Sequence, residues 1–237
     1  MPLWQAGPLI RRLANSAGPL PQLEDFSYEP PELRLRTGVF PEGPAEVYRL
    51  CALLAHLLAG TSLKGDLLAA AGQRRQRLRA LAEQVSPWPE AGTALFHTLD
   101  RGLRLEPARR FLNREELRKA LDEAASMLDQ AAAERLCLLG TAGFFADRRL
   151  PLPSSALAGR QPEDCQLLFP PETAGVSRRH CRIALRWGTV VVTDLASRYG
   201  TFLDEVRLAP HAPTPWRPGA QLTLGSRRQA LRLTPRL

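Results

Sequence analysis

The chain has 237 residues, 44% of them hydrophobic, with 32 lysines and arginines against 24 acidic residues and a formal net charge of +8. That is enough for two small domains with true cores, and the positive balance favours acidic partners. The only lysines are Lys64 and Lys119, so the charge is nearly all arginine. Arginine richness alongside abundant Ala and Leu also accompanies GC-rich coding, so the basic excess is weak evidence for nucleic acid.

The longest apolar stretch, Leu50 to Ala59, is too short to span a membrane and carries His56 in its middle. The N-terminal MPLWQAGPLIRRL is broken by Pro8 and has no continuous apolar core of a signal peptide. Cys51, Cys137, Cys165 and Cys181 form no paired-ligand spacing, so the sequence points to no metal site and no cofactor, with reduced thiols in a cytoplasmic protein.

In chain order, residues 1–43 are interrupted by seven prolines from Pro2 to Pro41 and read as a proline-rich, extended or partly disordered arm. Leu3, Trp4, Leu9, Ile10 and Leu13 could anchor it, and Ser16 and Thr37 follow arginines at a spacing that kinases favour and chance often supplies. Residues 44–133 form a helical domain. Its first helix, Ala45 to Ala59, is bracketed by Pro44 and Gly60 with Val47, Leu50, Cys51, Leu54, Leu57 and Leu58 on one face. Asp66 caps a second helix running to Val85, whose Arg74, Arg75, Arg77 and Arg79 read as a solvated face. Trp88 and Pro89 form a turn, a third helix covers Thr93 to Leu103, and a turn spans Pro107 to Leu112. Asn113 with Glu116 makes a capping box for a long helix to about Glu134, its Leu117, Leu121, Ala124, Leu128 and Ala131 at helical spacing.

Residues 134–237 switch to an alternating pattern. Leu136 to Leu139 and Arg149 to Leu152 are expected strands. Cys181, Ile183 and Leu185 alternate with Arg182, Ala184 and Arg186, Trp187 and Gly188 close a tight turn, and the β-branched run Thr189 to Thr193 forms the return strand. Polar clusters flank this hairpin at both outer ends: Ser177, Arg178, Arg179 and His180 before it, Asp194 to Thr201 after it.

In order, Gly159-Arg160, Ser177-x-x-His180, Ser197-x-x-Gly200-Thr201, Pro218-Gly219 and Leu224-Gly225 span the last hundred residues or so. This series resembles the pattern of forkhead-associated (FHA) domains. The resemblance implies a β-sandwich whose loops at one end bind phosphothreonine peptides. The fold class expected is therefore α+β by segregated domains, an all-α helical region followed by an all-β FHA-like sandwich. Carried over, Arg160 would pair with the phosphate and Ser177 would donate its hydroxyl to it, since arginine answers a doubly charged phosphate with a planar fork of donors. Arg178 and Arg198 lie in loops flanking that position and could add charge or stand solvated, and Tyr199 completes the expected peptide-binding set. Gly159, His180, Ser197, Gly200 and Thr201 would support the loops. Two positions depart from the family: Tyr199 and Asp204 stand where asparagines are common, and a tyrosine cannot offer the paired donor and acceptor that clamp a peptide backbone.

No nucleophile motif, phosphate loop or metal pair appears elsewhere, and the Ser177 and His180 pair belongs to the FHA pattern, so the expected protein is not an enzyme. The expectation is a phosphothreonine-reading adaptor in bacterial Ser/Thr-kinase signalling or secretion-system regulation. Its partners would be a phosphothreonine-containing protein, a Ser/Thr kinase or its substrate among them, and a second protein on the helical domain. The alternative is a phosphorylation-independent scaffold in which the sandwich is the interface and Tyr199 covers the groove.

Overall fold

The computed structural model describes residues 28–34, 42–61, 63–85, 89–225 and 228–236. Most of the expected arm, including Leu3, Trp4, Leu9, Ile10, Leu13, Ser16 and Thr37, lies outside the described residues. The chain divides into two compact units, 1–128 and 129–237. Helices fill the first and two sheets the second, the segregated α+β architecture expected.

In the helical unit a short helix α1 (Pro31–Arg34) precedes α2 (Glu42–Ala59), α3 (Lys64–Leu68), α4 (Ala71–Val85), α5 (Pro89–Gly102) and α6 (Arg114–Arg135), with a 3-10 turn at Pro107–Arg109. Val47, Leu50, Cys51, Leu54 and Leu58 of α2 are all buried, the stripe that the helical period predicts, whereas Leu57 at its margin is half-buried. The helix stops where Gly60 takes φ +69 and its N–H closes onto the His56 carbonyl. The stretch expected as one helix from Asp66 is two: Ala69 is extended (φ −64, ψ 168), and Asp66 lies inside α3, ion-paired with Arg77 at 3.3 Å, instead of capping. The break hides in the pattern because Leu67 and Leu78, both buried, lie about three turns apart and read as one face.

The arginines of α4 are not uniformly solvated either. Arg75 and Arg77 are exposed, but Arg74 is only 5% accessible. Helix α5 begins at Pro89, earlier than expected, because proline's fixed φ suits a first turn. The capping box at α6 forms with a shift: Glu116 N–H donates to Asn113 Oδ1 (3.0 Å), and the Glu116 carboxylate reaches back to the N–H of Leu112 (3.0 Å).

Inside this unit Arg110 is fully buried. Its guanidinium donates to both carboxylate oxygens of Glu32 (2.7 Å each) and to the carbonyls of Arg104, Pro44 and Leu105, and it lies 4.8 Å from the Tyr48 ring centre. Glu32 is held below the ordinary carboxylate range: burial alone would raise it, and the hydrogen bonds and charge of Arg110 outweigh that. Tyr28 makes a second tie, its hydroxyl 2.6 Å from His56 Nδ1 and accepting from Leu63 N–H. Segment 28–34 is thus fastened to the helices at both ends.

The second unit holds two sheets. One has six strands in the order β2-β1-β11-β10-β7-β8: β1 (Leu136–Ala142), β2 (Arg149–Pro151), β7 (Thr201–Leu203), β8 (Val206–Arg207), β10 (Gln221–Leu224) and β11 (Gln229–Pro235). The other has five in the order β4-β3-β5-β6-β9: β3 (Ser155–Gly159), β4 (Leu167–Leu168), β5 (Arg179–Arg186), β6 (Thr189–Asp194) and β9 (Thr214–Pro215). Among the described strands β3 and β4 pair in parallel and the other strand pairs are antiparallel, with one isolated parallel bridge between Asp194 and Pro210. Leu138, Leu222 and Leu233 from one sheet, Ile183 and Val192 from the other, and Trp216 just after β9 are at most 1% accessible, and each such aliphatic side chain contributes roughly 1.5–3 kcal/mol by leaving water. Trp187 and Gly188 both take positive φ (54 and 72), the conformation of a two-residue hairpin turn. The Gly188 N–H is anchored by Asp129 Oδ1 at 2.7 Å.

Candidate functional site

The loops that leave β3 and enter β5 meet through backbone. Gly159 is where they touch: a Cβ there would lie 2.1 Å from the Arg178 carbonyl oxygen, so only glycine fits. Next to it, Arg160 N–H donates to the carbonyls of Ser177 (3.2 Å) and Arg178 (2.9 Å), and Gln161 N–H to Arg178 (3.0 Å). The two residues expected at a phosphate, Arg160 and Ser177, are therefore joined by their own main chains.

His180 then ties this pair of loops to a third. It is fully buried; its Nδ1 accepts from Ser177 N–H (3.0 Å) and its Nε2 lies 3.1 Å from the Gly200 carbonyl. A backbone N–H can only donate and a carbonyl can only accept, so the ring is neutral with its proton on Nε2. Burial pushes its pKa below the ordinary histidine value. This geometry also dissolves the apparent Ser-His dyad. The ring nitrogen nearest Ser177 is taken by the serine's main chain and not by its hydroxyl, and no carboxylate orients the imidazole.

Asp194, at the end of β6, is the fixed point of the third loop. Its carboxylate accepts from Ser197 N–H (3.1 Å), Ser197 Oγ (2.6 Å) and Thr201 Oγ1 (2.5 Å), and all three residues are buried. The serine and threonine of the S-x-x-G-T run thus face inward and shape the turn. What the turn displays is Arg198 and Tyr199, both exposed. Gly200 (φ +87) takes the left-handed conformation that lets the chain return to β7. Asp194 is the residue that sequence reasoning passed over; an aspartate three positions before a serine is the signature of such a turn and could have marked it.

At the surface, Ser177 Oγ accepts from Arg198 N–H (3.1 Å), which leaves its proton for another acceptor. The half-buried guanidinium of Arg160 donates through Nε to the Val176 carbonyl (2.6 Å) and through Nη1 to that of Pro171, leaving Nη2. Arg178 and Arg198 are exposed, and among the described residues neither has a carboxylate in ion-pair range; Arg179 by contrast pairs with Asp164 at 3.6 Å. Tyr199 is 53% accessible, with the Arg198 guanidinium 5.5 Å from its ring centre. Asp204 sits at the β7–β8 hairpin tip (φ 43), where its Oδ1 accepts from Gln221 N–H (2.8 Å).

Residues 157–225 match the family model described as FHA domain. The sandwich unit carries an FHA domain. Among solved structures, the chain is similar to the FHA domain of a Chlamydia trachomatis protein, at 18% identity over 44% of this chain and 99% of that one, with a TM-score of 0.38. The FHA domain of an Arabidopsis thaliana hypothetical protein gives 24% identity over 44% of this chain and 87% of that one, TM-score 0.39. The N-terminal FHA domain of S. cerevisiae Rad53p, solved with a phosphothreonine peptide, gives 19% identity over 43% and 94%, TM-score 0.37. No curated protein matches the chain.

Among the described residues no group of His, Cys, Asp and Glu side chains could hold a metal ion, and no helix is long and apolar enough to cross a membrane. All four cysteines are buried and unpaired; burial pushes the Cys51 thiol up to about 12 and raises that of Cys181 as well.

Proposed function

We propose that this protein is a non-catalytic adaptor whose FHA domain binds phosphothreonine peptides through Arg160 and Ser177, with Arg178, Arg198 and Tyr199 along the peptide. The observation that carries this reading is the shared framework of Arg160 and Ser177. Two loops joined main chain to main chain and a neutral, buried His180 hold them together, while the Ser177 proton and Arg160 Nη2 stay uncommitted. Preorganised donors of this kind suit a phosphate, whose oxygens only accept. Gly159, His180, Ser197, Gly200 and Thr201 act as supports of those loops.

The domain limits proposed are 1–43 for the arm, 44–133 for the helical domain and 134–237 for the FHA domain. By family analogy the setting is cytoplasmic, in bacterial Ser/Thr-kinase signalling or secretion-system regulation, with a kinase or its substrate as the phosphorylated partner and a second protein on the helical domain.

One observation favours a different reading: Arg160 already donates to the carbonyls of Val176 and Pro171. If those bonds are its whole task, the sandwich is a phosphorylation-independent scaffold. Calorimetric titration of the full chain with degenerate phosphothreonine, phosphoserine and unphosphorylated peptide pools separates the two. The expected result is micromolar binding of the phosphothreonine pool alone, lost in Arg160→Ala and in Ser177→Ala while both variants still unfold cooperatively. Folded protein that binds none of the pools would overturn the adaptor reading in favour of the scaffold.

A further inference from the structure

The β7–β8 hairpin brings an arginine to the binding turn that the sequence pattern does not mark. Arg207 is in register with Phe202, and the Leu208 N–H to Thr201 carbonyl bond (2.8 Å) locks that register. Residues directly opposite on paired strands share a face, so Phe202 and Arg207 lie on the same side. The missing side chain at Gly200 leaves the space Arg207 uses: a Cβ there would sit 2.7 Å from its Nε and 3.3 Å from its Nη2. The positive φ of Gly200 is what requires glycine there, and the Arg207 guanidinium lies across the open space this leaves.

Arg198 stands at the other end of the same short turn, its guanidinium against the exposed Tyr199 ring. Both arginines are exposed, and among the described residues neither has a carboxylate within ion-pair range. Two like charges brought to the same end of the sandwich without counter-charge repel each other mildly. An anion placed between them would relieve that repulsion. The turn that carries Arg198 is also bonded, through Arg198 N–H, to the hydroxyl of Ser177.

We propose that Arg198 and Arg207 form an acid-reading subsite beside the phosphate position, so that the ligand is a phosphothreonine peptide with aspartate or glutamate next to the phosphothreonine. This rests on the phosphothreonine reading above. It assigns the binding contribution of the Tyr199 turn to charge, in place of the amide clamp that an asparagine would supply.

The test is calorimetry on the full chain with three peptides of one backbone: phosphothreonine flanked on both sides by Glu, phosphothreonine flanked by Gln, and unphosphorylated threonine flanked by Glu. The Glu-flanked phosphopeptide is expected to bind about fivefold tighter than its Gln twin, the size of a surface ion pair. That preference should shrink as salt is raised and should largely disappear in Arg207→Gln. Equal affinities for the two phosphopeptides would overturn the subsite while leaving the phosphothreonine reader standing. So would a preference that Arg207→Gln leaves intact. Failure of both phosphopeptides would overturn the two proposals together, and equally tight binding of the unphosphorylated Glu peptide would reduce the site to non-specific charge attraction.

Discussion

The two units both place polar groups in their interiors, and they satisfy them in opposite ways. In the helical unit a charged pair, Arg110 with Glu32, is buried whole, with carbonyls taking the remaining guanidinium donors. In the FHA domain the buried histidine is kept neutral, and the buried Asp194 is answered by hydroxyls and an N–H without a counter-cation. The first solution fastens a distant segment, 28–34, to a helical core. The second sets the relative positions of three loops and, among the described residues, leaves Arg178 and Arg198 on their outer surface without a carboxylate in ion-pair range. The helical unit closes its charges on each other, and the loop end of the sandwich leaves Arg178 and Arg198 open to solvent.

Breaking the latch should have the largest effect. Arg110→Ala leaves the Glu32 carboxylate buried without a partner, and a loss of about 3–5 kcal/mol is expected in denaturant unfolding of the full chain. The double variant Arg110→Met with Glu32→Leu should recover much of it, because the uncompensated charge is then gone. A single variant as stable as the native chain would mean that the pair contributes nothing to the fold.

Asp194→Ala comes next. It removes one acceptor from three buried donors, each worth about 1–3 kcal/mol when orphaned, of which local rearrangement recovers part. A net loss of about 3 kcal/mol is expected, with peptide binding lost alongside. Retained binding at reduced stability would show that the third loop does not shape the site.

Acid should separate the units further. His180 has a folded-state pKa below its ordinary value of 6.5, so at pH values beneath 6.5 the unfolded chain takes up the proton more readily than the folded one. Its stabilisation is complete above 6.5 and declines as pH falls through the depressed value. Glu32 is also depressed, from 4.5, so its contribution is present above 4.5 and is lost only as pH falls below that. Amide exchange between pH 7 and 5 should therefore loosen around Ser177 and Gly200 before it loosens around residues 28–34. The reverse order would contradict the neutral assignment of the histidine. Peptide affinity is a poorer readout here, since the phosphate itself titrates near 6.

The smallest effect expected is at Tyr199. With half its surface in water, Tyr199→Ala should change stability by no more than about 0.5 kcal/mol. Any larger effect on peptide affinity would then report its contact with the ligand.

Much of this was legible in the sequence because it depends on period and spacing. The stripe on α2, the alternation in β5 and the Trp187-Gly188 turn are local patterns, and the FHA motifs mark the loops in order. The Arg110–Glu32 pair was not legible, because nothing local joins residues 78 positions apart and a buried arginine looks in sequence like any other. The break before α4 was masked by a continuous apolar stripe, and burial of Arg74 was masked by its exposed neighbours. In the site, Ser177 and His180 were visible through their motif, whereas Arg207 reaches the turn only through hairpin register and the space over a glycine. Asp194 stood in plain view but outside the motif's usual emphasis.

The four buried cysteines carry a practical consequence. A thiol shut away from solvent reacts with an alkylating reagent only when its surroundings open. Cys51 lies in one unit and Cys137, Cys165 and Cys181 in the other, so the chain is already fitted with a separate chemical clock for each half. The rate at which each is modified times the opening of that half without any engineered label.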